Sequence, residues 1–228
     1  MPRSSDAASR YRRLAITGVL VALAAFLIQS VLYVTDVYAF DRSIVLFDLE
    51  EGGLVTWATS SAAFAVAFLA LFLSAVDTQH RTALILLACT VGFISFDDAA
   101  FVHERVALRI AAELRLDVTY VQVIWPVLYL PLLVAVAVLL LQLADDTWLA
   151  HRLVVAGLLA LATAVALEVV SVALDRAGFD ADSWPRVLEI TAEEGLELVG
   201  WILVATGAAI RMLAVVEGRD ETAEVTSP

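Results

Sequence analysis

The chain has no lysine: all 14 of its basic residues are arginines. That excludes a Schiff base with retinal or pyridoxal phosphate on a chain lysine. Its single cysteine, Cys89, rules out an intrachain disulfide and any multi-cysteine metal site. Within LILLACTVGF this residue reads as a small core side chain. Histidine is scarce too, with only His80, His103 and His151, so a three-histidine zinc hydrolase is disfavoured. Charged residues make up only 18% of the chain, and no basic patch stands ready to pair with phosphates, which argues against nucleic acid as a partner.

What fills the 228 residues is apolar: 61% are hydrophobic, and mean hydropathy is +0.88. The apolar residues fall in long runs, the pattern of a multi-pass membrane protein. Six runs are candidate spans, at about 14–34, 54–76, 82–104, 119–143, 153–174 and 188–213. The first run is longer than the core of a signal peptide and is expected to be an uncleaved anchor. Arginine counts place eight residues on one side and six on the other, and the dense Arg10, Arg12 and Arg13 group favours the N-terminus inside. The expected architecture is therefore all-α, a six-span bundle in the cell (inner) membrane with both termini cytoplasmic. Residues 1–13 form a cytoplasmic segment, 14–216 the membrane domain and 217–228 a disordered acidic tail. Between spans, 105–118 has the spacing of an amphipathic interfacial helix, and 175–187 reads as a loop holding Trp184 and Pro185.

Against this oily background, nine acidic or imidazole side chains gather near three connections on one side of the bundle. They are Glu51, Asp97, Asp98, His103, Glu104, Glu168, Glu193, Glu194 and Glu197. Ionisable groups at membrane depth are costly and by default functional. Depth strengthens the point. At about 1.5 Å per residue, Asp97, Glu168 and Glu197 each lie roughly 22 Å from the opposite boundary of their spans. Three acids on three helices thus share one level. With span three continued to residue 104, Asp97 and Glu104 fall on one face, and Glu189, Glu193 and Glu197 form a stripe that Gly200 extends toward a close-packed neighbour. Two plainer explanations stand beside the functional one. Helix dipoles favour acids in a first turn, which accounts for Glu50 and Glu189 and could extend to Glu51, but not to Glu168 or Glu197. A structural ion-pair network with Arg105, Arg109 or Arg186 would also absorb acids.

Carboxylates in a dry place must share protons, meet cations or open to water. A carboxylate set with one imidazole suits Mn, Fe, Ca or Mg, with Zn also in the range of divalent metals. The metal candidates are Glu51, Asp97, His103, Glu104, Glu168, Glu193 and Glu197; Asp98, His103 and Glu194 are candidates for catalysis. The usual paired Glu-x-x-His signature of di-iron bundles is missing. Expected partners are a divalent cation and membrane lipid. The leading expectation is a metal-dependent enzyme on a lipid or small membrane-soluble substrate. A proton- or cation-coupled carrier and a structural or sensory module remain open beside it.

Four blocks carry a family likeness: EGGLVTW at 51–57, FISFDDAAFVHERV at 93–106, Glu168 within LEVV, and EEGLELVG at 193–200. They resemble a family of uncharacterised multi-pass prokaryotic membrane proteins. Its members carry an acid-Gly-x-Leu-Pro-Thr-Trp opening, an Asp-Glu-Ala-Ala-x-x-His-Glu block, a lone later Glu and a Glu-Glu-x-x-Glu-x-x-Gly block. This chain has Val55 where proline is usual and Asp98 where glutamate is usual. The resemblance implies a shared acidic site on a helical bundle and no particular reaction.

Overall fold

The computed structural model describes residues 5–47, 49, 53–144 and 147–225. Among them it forms seven α-helices and no strand: α1 (Ser5–Ala39), α2 (Leu54–Val76), α3 (Arg81–Ala100), α4 (Val102–Glu113), α5 (Val121–Ala144), α6 (Trp148–Arg176) and α7 (Trp184–Val225). Six of them are long and apolar enough to cross a membrane, and α4 is the exception. Leucine, valine and alanine runs satisfy every internal backbone donor within the helix, which a hydrocarbon environment demands.

An even number of spans brings both termini to one end. There Tyr11 donates to Glu217 at 2.6 Å, and Arg10 pairs with the same carboxylate at 3.1 Å. Helix α7 runs through the middle of the bundle, against α1, α2 and α6. Its pairing with α6 is the most extensive, and small residues explain why. A Cβ on Gly157 would stand 2.6 Å from the Gly200 carbonyl oxygen, and one on Gly200 would stand 2.9 Å from that of Gly157. The helices meet backbone to backbone, as expected of Gly200 from its place on the acidic stripe.

The half of the bundle near the termini is a closed apolar core. Val66, Leu87, Val91, Leu140, Val154 and Val204 pack together there from five helices. At the other end, loops are tied across the bundle. Arg42 pairs with Asp182 at 2.6 Å and donates to the Ala181 carbonyl, and Asp36 accepts from the Ile44 backbone at 3.0 Å.

Several expectations are revised. Span three does not continue to 104. Phe101 takes a left-handed conformation (φ 53°, ψ 38°), which ends α3 and starts α4 in a new direction. A non-glycine residue there costs about 1–2 kcal/mol, so the break is held by its surroundings. The amphipathic stretch forms α4, whose inward face is small: Ala107 and Ala111 are buried, while Val106 and Leu108 are exposed. The loop after α6 is shorter than 175–187, because Pro185 suits a first helical turn, where its missing N–H is no loss. Helix α7 is described as far as Val225, within the stretch 217–228 expected as an acidic tail; Glu221, Ala223 and Glu224 are strong helix formers. Cys89 is exposed on the outside of α3, because Leu84, Leu87, Ala88 and Val91 occupy its inward face.

Candidate functional site

One large cavity opens in the half of the bundle away from the termini. Its volume is about 440 Å³, within the roughly 300–1,000 Å³ usual for ligand pockets. Helices α3, α4, α5, α6 and α7 all contribute to its wall. Asp97 and Asp98 come from the last turn of α3, and His103 and Glu104 from the first turn of α4. Glu168 lies late in α6, and Glu193, Glu194 and Glu197 lie in the third and fourth turns of α7. Eight of the nine residues singled out from sequence therefore line one cavity. The ninth, Glu51, lies outside the described residues.

The break at Phe101 changes the physical account of this wall. Glu104 does not sit at a helix C-terminus, where the dipole opposes an anion; it sits in the first turn of α4, where the dipole favours one. The same break brings His103 back over the end of α3. Its Nδ1 lies 2.7 Å from Asp97 Oδ2, while Tyr129 donates to the other oxygen, Oδ1, at 2.8 Å. Asp97 is only 4% exposed, yet each of its oxygens has a partner. Burial alone would push the His103 imidazole down. The hydrogen bond and charge of Asp97, with Glu104 and Asp98 nearby, outweigh that and hold it above its ordinary value.

The other acids are spread along the wall. Ser60 donates to Asp98 from α2. Trp125 donates its indole N–H to Glu168 at 3.3 Å, and the Glu193 carboxyl lies against that of Glu168. Trp201 stands beside Glu197. Among the described residues, no group of three or more His, Cys, Asp and Glu is gathered tightly enough to hold a metal ion. The carboxylates share a cavity rather than a single point.

The arginine network forms elsewhere. Arg186 is buried and pairs with Glu189 at 2.7 Å and with Asp175 at 3.4 Å, besides donating to Ser171. Arg105 and Arg109 are exposed on α4. Glu189 thus joins an ion pair while staying against Glu193 on the stripe, and Glu193 and Glu197 line the cavity. No arginine is among the described residues that line it. His80 and His151 lie at the far end of the bundle, His80 hydrogen-bonded to Asp77 at 3.0 Å.

Sequence reasoning missed the aromatic part of the wall. Trp125 and Tyr129 are one helical turn apart on α5, and both reach the acids; Trp125 also packs on His103, ring centres 4.8 Å apart. The available signal was a Trp/Tyr pair at i, i+4 in a run with Pro126 and Pro131. Below the acids the cavity turns apolar, lined by Leu130, Leu133, Val134 and Ala137 of α5 and by Leu158, Leu161 and Val165 of α6.

The family described as a domain of unknown function, DUF8692, matches residues 13–212. The chain belongs to that family. The matched stretch reaches into all six spans and takes in every described residue of the cavity wall. No curated protein matches, and no solved structure does.

Proposed function

We propose that this protein is a cell-membrane enzyme whose cavity admits a membrane-soluble substrate and whose acidic end binds a divalent cation. The single observation that carries this reading is the composition of the wall. Seven carboxylates and one imidazole line the cavity, with no arginine among the described lining residues. Such a set cannot stay ionised and unpaired in a dry place, so protons or an external cation must balance it. Oxygen donors with one imidazole suit Mn, Fe, Ca or Mg, with Zn as a further option. Glu168, Glu193 and Glu197 are the proposed ligands, with Asp97, His103 and Glu104 as further candidates on the same wall.

Such a cation would polarise a substrate oxygen or activate water. The chain's own groups would move protons. With Nδ1 committed to Asp97, the Nε2 of His103 is the nitrogen that would act, and Tyr129 fixes the orientation of Asp97. Asp98 and Glu194 are the further acids in reach for proton transfer. The site would face the outer side, with the N-terminus inside as the Arg10, Arg12 and Arg13 group favours. A carrier would need a polar route through the other half of the bundle, and the valine and leucine core there argues against that reading.

The test is thermal. Mn²⁺ or Ca²⁺ added to chelator-treated protein should raise the midpoint, by the equivalent of about 2.7 kcal/mol at a hundred times the dissociation constant. The Glu168→Gln, Glu197→Gln double variant should lose most of that response. Equal responses in both proteins would place the cation elsewhere.

A further inference from the structure

The shape of the cavity narrows the class of its organic ligand. From Glu168 down to Leu158 is ten residues of α6, or about 15 Å. Over that length the wall is apolar, formed by Leu133 and Ala137 of α5 and by Leu158 and Leu161 of α6. Leu130 and Val134 line the same stretch, yet are 57% and 52% exposed on the outer surface of α5. Residues that both line a cavity and face outward mark its mouth, so the slot opens sideways, toward lipid. At its upper end stand the carboxylates and an aromatic corner. The Trp125 and Tyr129 rings are 6.2 Å apart and inclined at 78°. Aromatic faces beside carboxylates form the usual setting for an organic ammonium group. A phosphate or sulfate head would meet no arginine among the described lining residues and seven acids.

We infer that the cavity binds a single-chain amphiphile with an amine head, its chain in the α5–α6 slot and its ammonium group among Glu168, Asp97 and the Trp125–Tyr129 corner. This rests on the proposed cation-demanding end of the cavity and adds what the slot and the rings require. The chain enters from the bilayer between α5 and α6, so the head meets the acids without crossing water.

Dodecylamine, dodecanol and dodecyl phosphate, each added to protein held in lipid nanodiscs with chelator, separate the possibilities, with Mn²⁺ alone run alongside. Dodecylamine should raise the thermal midpoint, dodecanol should raise it less, and dodecyl phosphate should leave it unchanged. Slot-filling variants, Ala137→Phe and Ala162→Phe, should weaken the amine at least tenfold while keeping the response to Mn²⁺, which also reports that they fold. A response to Mn²⁺ with none to the amine would overturn this inference and leave the cation reading standing. Dodecyl phosphate binding as well as the amine, with or without Mn²⁺, would overturn the assignment of the head. Amine binding undiminished in both slot variants would overturn the placement of the chain. Silence from both cations would remove the cation reading and this inference together.

Discussion

The two halves of the bundle are built from the same helices and behave as opposites. Near the termini, Val66, Leu87, Val91, Val154 and Val204 close around one another, and a void there is about 30 Å³, room for about two or three water probes. In the other half the same α3, α5, α6 and α7 hold a cavity of about 440 Å³ with seven acids on its wall. Helix α5 accounts for much of the difference. Only 11% of its apolar 18-residue stretch is buried, against 33% for that of α7. Pro126 and Pro131 each remove a backbone donor from its outer half. One half is shaped for packing and the other for holding something, so substitutions should have unequal costs in the two.

The largest effect is expected where helices touch through glycine. Gly200→Leu must displace the Gly157 carbonyl and Leu161, whose atoms already lie within 3 Å of an added Cβ. Overpacking of this kind costs about 1–3 kcal/mol or more, and loss of folded protein on size exclusion is the readout. Ala162→Leu, which points extra carbons at the cavity, should leave the thermal midpoint nearly unchanged. Comparable loss in both would erase the distinction between packed seam and cavity wall.

A smaller contrast comes from truncation. Leu87 is 3% exposed in the closed core, and Leu87→Ala should cost about 2 kcal/mol or more through lost packing. Leu133, on the cavity wall, is only partly buried, and Leu133→Ala should cost less than about 1 kcal/mol on the same scale. Denaturation of the two variants in a common detergent compares them directly.

The smallest effect lies at the terminal end. Burial would raise the Asp77 carboxyl, but hydrogen bonds from His80 and the charges of His80 and Arg211 outweigh it and hold it below the usual carboxylate range. A depressed folded value means that the stabilisation is present above the ordinary carboxylate pKa and is lost as pH falls through the folded one. Asp77→Asn should therefore lower stability slightly at neutral pH and flatten the acid limb of a midpoint-against-pH curve. An unchanged acid limb would show that this cluster contributes nothing.

Much of this division was legible beforehand. Long apolar runs located the six spans, because hydrocarbon thickness sets their length. Equal rise from a common boundary put Asp97, Glu168 and Glu197 at one level, and all three line one cavity. What escaped was anything set by a local reversal or by a partner helix. Phe101 has no turn signature in FVHER, so its left-handed conformation and the new direction of His103 and Glu104 were invisible. The pairing of Glu189 with Arg186 was hidden because it depends on α6 placing Ser171 and Asp175 near that arginine. Trp125 and Tyr129 sat in a run apolar enough to pass as lipid-facing, and only the packing of α5 on α4 turns them toward the acids. Cys89 was misplaced because a nearly uniform apolar run has no amphipathic phase to reveal its inward face.

The central claim is that ligand space ends within the bundle. Single-cysteine variants on a Cys89→Ala background, reacted with water-soluble thiol reagents from each side of the membrane, test it most directly. Leu161→Cys lies on the cavity wall, while Val91→Cys and Val204→Cys lie in the closed core, where both side chains are fully buried. The account predicts that Leu161→Cys reacts from the acidic side alone and that neither core position reacts from either side. Labelling of Val91→Cys or Val204→Cys from the opposite side, altered by Mn²⁺, would contradict it and establish a path through the membrane.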